Sequence, residues 1–224
     1  MKRCLGAALP LFILFLVSCK SPTSPDKTTT TTTSTTTTST STTTTTTPPV
    51  SVTCQVNNPQ GQPGIAFQFS CNPSGGSGSY SFSWDFGDGQ TSTQQNPSHS
   101  FAMIGNFSVR VTVTSDGQTT SCSLTVKVFI QQSVFVGPGG GFANVLFSLA
   151  QAARIRITLS GTNNLIPYGF LEGPGYSGYF PPQGTANNGV NVGEINLSQA
   201  GQFTLTVFEG NNIGGNINVK IEVI

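Results

Sequence analysis

Apolar residues in this chain recur at every second position, in short runs cut by turn formers, and that period admits β-strands and little else. Val50, Val52, Cys54 and Val56 alternate with polar neighbours, as do Phe67, Phe69 and Cys71. Phe82 and Trp84, then Phe107, Val109, Val111 and Val113, then Leu124, Val126 and Val128 repeat the pattern. Asn58-Pro59, Gly75-Gly76, Gly87-Asp88-Gly89 and Asp116-Gly117 separate the runs. Alternation sends successive side chains to opposite faces of a sheet, so each run is a half-buried strand. A second series starts near Ser133 with Val145, Phe147 and Leu149, and continues with Ile155, Ile157 and Leu159. After a Gly/Pro/Asn-rich middle over 161–193 it ends with Phe203, Leu205 and Val207, then Ile217, Val219, Ile221 and Val223. No stretch offers a sustained helical stripe. The expected fold is therefore all-β, with two tandem antiparallel β-sandwiches.

The N-terminal quarter obeys different rules. Residues 28–47 are Thr or Ser without exception. With no apolar side chain to offset chain entropy, the segment is expected to be a disordered stalk. Near-extended, the residues between Cys19 and Pro49 reach about 90 Å. Before them, Lys2 and Arg3 precede an apolar run from Leu5 to Val17, too short to span a bilayer comfortably. Leu16-Val17-Ser18-Cys19 resembles a bacterial lipobox, which implies cleavage after Ser18 and a lipid on the Cys19 thiol. Lys20 does not resemble the inner-membrane retention signal of enteric bacteria, which uses aspartate there. The implied location is the outer membrane or cell surface.

Removing Lys2 and Arg3 with the signal leaves seven basic residues against eight acids. Nothing in that balance attracts a polyanion the size of a nucleic acid, so nucleic acid is excluded as a partner. Beyond Cys4 and Cys19 the cysteines are Cys54, Cys71 and Cys122, an odd number for an oxidising compartment. One disulfide and one unpaired thiol are expected.

Trp84-Asp85-Phe86-Gly87-Asp88-Gly89, then Asn96-Pro97-Ser98-His99-Ser100-Phe101, then Gly105-Asn106-Phe107-Ser108-Val109 follow one another over the first series. Their order resembles the polycystic kidney disease (PKD) domain, with Phe101 and Phe107 where tyrosine is usual. The resemblance implies an immunoglobulin-like sandwich of extracellular proteins, serving as a spacer or binding module. Independently of any family, Trp84 is a core anchor, and Asp85 and Asp88 are suited to accept backbone N–H groups in a turn. Gly87 and Gly89 suit positive φ. Two carboxylates and turn carbonyls also make Asp85 and Asp88 a weak calcium candidate, with too few acids for a dedicated cage. The resemblance gives His99, the sole histidine, a packing and hydrogen-bonding role. No hydrolytic triad can be assembled around it, and no cofactor or metal is expected. In the topology that the resemblance implies, the first and last strands lie side by side. That favours a Cys54–Cys122 disulfide, with Cys71–Cys122 as the alternative.

The second series more loosely resembles the bacterial pre-peptidase C-terminal domain, which implies a jelly-roll-like sandwich without catalytic residues. Its carriers are Val145–Leu149, Arg154–Leu159 and Leu197–Val207. Tyr168, Phe170, Tyr176, Tyr179 and Phe180 crowd a Gly/Pro-rich segment over 167–182. Such aromatics either stack on a sugar or protein partner or fold inward to cap the sandwich. Gly137-Pro138-Gly139-Gly140-Gly141 lacks the lysine and helix of a phosphate loop and reads as a turn.

These readings divide the chain into a signal peptide (1–18), a lipidated stalk (19–49), a PKD-like domain (50–130) and a second sandwich (131–224). The function they imply is that of a non-catalytic, surface-anchored lipoprotein. It would bind envelope proteins or polysaccharides, with the membrane held through its N-terminal lipid. The alternatives are an accessory subunit of a secreted hydrolase and a structural envelope spacer.

Overall fold

The computed structural model describes residues 46–162, 165–180, 189–211 and 213–224. The signal, Cys19, the tract up to residue 45, and Pro181 and Pro182 lie outside them. The described residues form strands, turns and no helix.

The first sandwich contains β1 (Ser51–Val56), β2 (Gln60–Gly61), β3 (Ala66–Ser74), β4 (Ser81–Asp85), β5 (Thr91–Ser92), β6 (Ser98–Ser100), β7 (Gly105–Ser115) and β8 (Gln118–Val128). One sheet has the order β1-β3-β6 and the other β2-β8-β7-β4-β5. This is the expected immunoglobulin-like arrangement. Asp116 and Gly117, at φ 47° and 77°, form the two-residue turn between β7 and β8. A hairpin whose central residues both take positive φ matches the twist of its strands, which is why Asp-Gly stands there. Inward positions of the period-two runs supply the core: Phe67, Phe69, Trp84, Val109, Val111 and Val126 are all buried.

The second sandwich contains β9 (Ile130–Val136), β10 (Phe142–Leu149), β11 (Ala153–Gly161), β12 (Pro167–Gly173), β13 (Tyr176–Phe180), β14 (Val190–Leu197), β15 (Gly201–Glu209) and β16 (Gly215–Val223). Its sheets have the orders β10-β15-β12-β13 and β14-β11-β16-β9. Among the described residues this interleaving is a jelly roll, with the first and last strands paired in one sheet and the second and second-to-last in the other. Ile155, Ile157, Leu159, Phe203, Leu205 and Val219 fill the space between the sheets.

The cysteine pairing is a correction. The disulfide joins Cys54 to Cys71, with Cα atoms 4.4 Å apart, and Cys122 is free. Cys54 stands directly opposite Cys71 in the β1–β3 ladder. Cys122 on β8 is paired in register with Val111 of β7 instead. β1 packs against β8, but its hydrogen-bonded neighbour is β3, so the facing cysteine belongs to β3. One disulfide and one free thiol are as expected; the partners are not.

Phe129 alone separates β8 from β9. Its N–H donates to Gly61 O at 3.0 Å. Ile104, just before β7, is buried within the second core rather than the first, and its N–H donates to Ser148 O at 3.0 Å. Lys127 Nζ donates to Glu222 Oε2 at 2.6 Å across the same junction.

Candidate functional sites

The Trp84–Gly89 motif closes on itself. Trp84 is buried, and its indole N–H donates to Gln94 O at 2.9 Å. Asp85 Oδ1 accepts the Gly87 N–H at 2.9 Å, and Asp88 Oδ1 accepts the Gln90 N–H at 3.1 Å. Gly87 has φ 79°, and a Cβ there would lie 2.9 Å from Ser108 O, so both conformation and space call for glycine. His99 Nε2 donates to the remaining oxygen, Asp88 Oδ2, at 2.8 Å, with both side chains 7% exposed. Its ring lies flat on Phe86 at 4.0 Å and edge-on to Phe101 at 4.6 Å. The motif is a clasp that ties the β4–β5 turn to β6. Both Asp88 oxygens are engaged by the protein. Among the described residues no three His, Cys, Asp or Glu side chains gather as a metal-binding group.

The aromatic segment of the second sandwich is a hairpin, β12–β13, rather than the irregular loop its glycines and prolines suggest. Strand parity then sorts its rings. Phe180 is 0% exposed in the core, which removes it from the candidate binding residues. Tyr176 packs partly against that core. Tyr168, Phe170 and Tyr179 lie on the outer face of the sheet. Two residues outside the segment join them there. Phe208 on β15 is opposite Tyr168 in one ladder and opposite Phe142 of β10 in the next.

The result is an aromatic sheet face. The Tyr168 and Phe208 rings are nearly parallel at 6.0 Å, and Phe170 meets Tyr179 edge-on at 5.0 Å. Tyr179 also meets Phe208 edge-on at 6.3 Å. Tyr179 is 66% and Phe142 65% exposed, and exposed Leu146 continues the face along β10. Exposed apolar patches of this kind mark binding surfaces. Phe142 and Phe208 were legible only as outward members of strands whose inward members are Val145 and Val207.

The outer face of the opposite sheet carries charge. Glu194 on β14 accepts from Arg154 Nη2 at 2.5 Å and from Arg156 Nη2 at 2.6 Å. The Arg156 hydrogen bond is the main cause that holds the Glu194 carboxyl below its ordinary range. Glu222 on β16 accepts from Lys127 and, at 3.2 Å, from Lys220. Its carboxyl is likewise lowered, chiefly by the Lys127 hydrogen bond. A cleft of about 220 Å³ between the sandwiches is lined by Gly87, Ile104, Asn106, Leu149, Gln151 and Val223.

The architecture is that of a two-module β-sandwich protein with an immunoglobulin-like module ahead of a jelly roll. Residues 46–130 match the family model of the PKD domain, and this part of the chain belongs to that family. The chain is similar to the first PKD domain of the Vibrio cholerae metalloprotease PrtV, at 33% identity, covering 37% of this chain and 96% of that one with a TM-score of 0.30. It is similar to the pre-peptidase C-terminal domain of a collagenase from Bacillus anthracis, at 18% identity, covering 41% and 87% with a TM-score of 0.34. It is also similar to a carbohydrate-binding module of the β-sandwich superfamily, at 13% identity, covering 79% and 98% with a TM-score of 0.38. No curated protein matches the chain.

Proposed function

We propose that this chain is a non-catalytic, surface-anchored binding protein whose second sandwich takes polysaccharide on its outer aromatic face. The observation that carries the reading is the cluster of Tyr168, Phe170 and Tyr179 with Phe208 and Phe142 on one exposed sheet face. Aromatic rings offer large contact area with only two torsions to freeze, and a pyranose presents a C–H face that stacks on them. Rings held by strands are also preorganised, which lowers the ordering cost of binding. The PKD domain, a typical module of extracellular proteins, would act as the spacer. The stalk and a lipid on Cys19 would hold the pair away from the membrane.

The test is binding of the chain from residue 20 onward to a panel of neutral insoluble polysaccharides and to envelope extract. A variant with Tyr168→Ala, Phe170→Ala and Tyr179→Ala serves as the comparison. Glycan binding that disappears in the variant supports the reading. Binding unchanged by the substitutions, or capture of one envelope protein and no glycan, removes it in favour of an assembly subunit or spacer.

A further inference from the structure

The sheet behind the aromatic one carries a depression that no feature of the fold requires. It holds about 210 Å³ and is lined by Gln131 of β9, Thr158 and Ser160 of β11, and Asn218, Val219 and Lys220 of β16. The register explains the grouping. Thr158 stands opposite Lys220 and Ser160 opposite Asn218 in one ladder, and Gln131 stands opposite Lys220 in the next. An amide, two hydroxyls, a second amide and an ammonium thus share one face across three strands.

Among the described residues, the side chains of Gln131, Thr158, Ser160 and Asn218 make no hydrogen bond. Here four uncommitted hydrogen-bonding groups converge on one hollow. Lys220 supplies its charge. The ammonium is held 3.2 Å from Glu222 Oε2 and 5.4 Å from the centre of the Phe129 ring, and the side chain is 41% exposed. Lys127, Arg154, Arg156 and Lys220 meet only Glu194 and Glu222 on this side, so the face carries an excess of two positive charges. That local excess stands out in a chain with only 8% charged residues.

We infer that this depression is a second glycan site, specific for an acidic sugar, with Lys220 pairing the carboxylate or sulfate and Gln131, Thr158, Ser160 and Asn218 holding the ring hydroxyls. An open, shallow hollow of this volume is smaller than the roughly 300–1,000 Å³ of drug-sized pockets. It suits one ring of an extended chain rather than an enclosed ligand. Charge complementarity selects the occupant, because an ammonium flanked by neutral hydrogen-bonding groups favours an anionic sugar over a neutral one.

The experiment is calorimetric titration of the chain from residue 20 onward with a soluble oligouronate, a soluble oligosulfate glycan and a neutral oligosaccharide of equal length. The expected result is binding of an anionic probe that weakens with salt and falls about tenfold or more in Lys220→Gln. Asn218→Ala and Thr158→Val, which leave every ion pair in place, should each weaken it several-fold. The aromatic triple variant should bind the anionic probe as the parent does, which separates this site from the face proposed above. Equal affinity for the neutral probe, no binding of either anionic probe, or affinity indifferent to both Lys220→Gln and Asn218→Ala would overturn the inference.

Discussion

Lys127 Nζ and Glu222 Oε2 lie 2.6 Å apart although 95 residues separate them in the chain, and their pair pins β8 of one sandwich to β16 of the other. Lys220 at 3.2 Å and Arg156 at 3.9 Å also face the same carboxylate. All three neighbours favour the charged form, and the Lys127 hydrogen bond leads in lowering its pKa. The folded carboxyl therefore binds its proton less readily than the unfolded one. Its stabilisation is complete above the ordinary value of 4.5 and is lost as pH falls through the lowered folded-state value. Urea unfolding at neutral and acidic pH should show stability declining below that point, with a shallower decline in Glu222→Gln. Lys127→Met should cost about 1–2 kcal/mol at neutral pH, between the ranges of exposed and buried pairs. Identical acid profiles for parent and Glu222→Gln would contradict the linkage.

Ile104 is the apolar counterpart of that pin. It belongs by sequence to the PKD domain and by packing to the jelly roll. Ile104→Ala should cost about 2–5 kcal/mol, and the loss should appear in the unfolding of the second sandwich. Retained stability there would mean the contact is incidental.

Trp84 is buried against Phe69 and Phe86, with ring centres at 5.5 and 6.3 Å. Trp84→Ala should cost roughly 3–5 kcal/mol. Differential scanning calorimetry would register this as a large drop in melting temperature, and an unchanged midpoint would count against the core assignment.

Peptide mapping of the unreduced protein should recover Cys54 linked to Cys71, with Cys122 open to alkylation after denaturation. The bridge closes a loop with a sequence separation of 17, for which the chain-entropy model gives about 3 kcal/mol. Cys122→Ser should leave the linkage intact. Recovery of Cys54–Cys122 peptides would reverse the assignment.

Lipid attachment is tested by metabolic labelling with a fatty-acid analogue. Cys19→Ala should abolish incorporation and release the protein from membranes. Continued labelling of that variant would remove the anchor from the proposal.

Strand parity carried much of the fold. It told which side chains of Val109, Val111 and Val219 turn inward, because a period of two is a local property of the chain. It could not tell which strands are neighbours. Cys54, Cys71 and Cys122 share inward parity, so their pairing depended on ladder order, which is a long-range property. Ile104 was illegible for a related reason. A single apolar residue in a connection has no period, and nothing local shows that its partners lie on β10. The aromatic face was half legible: Tyr168, Phe170 and Tyr179 cluster in sequence, whereas Phe142 and Phe208 reach them only through ladders β10–β15 and β15–β12. The hollow around Lys220 gave no signal, since Thr158, Asn218 and Gln131 are remote in the chain and ordinary by residue type.

The joint at Phe129 has a mechanical consequence. With one residue between β8 and β9, a tug on the jelly roll passes directly into the strand hydrogen bonds of the PKD domain. The Ile104 contact and the Lys127–Glu222 pair brace that load path against twisting.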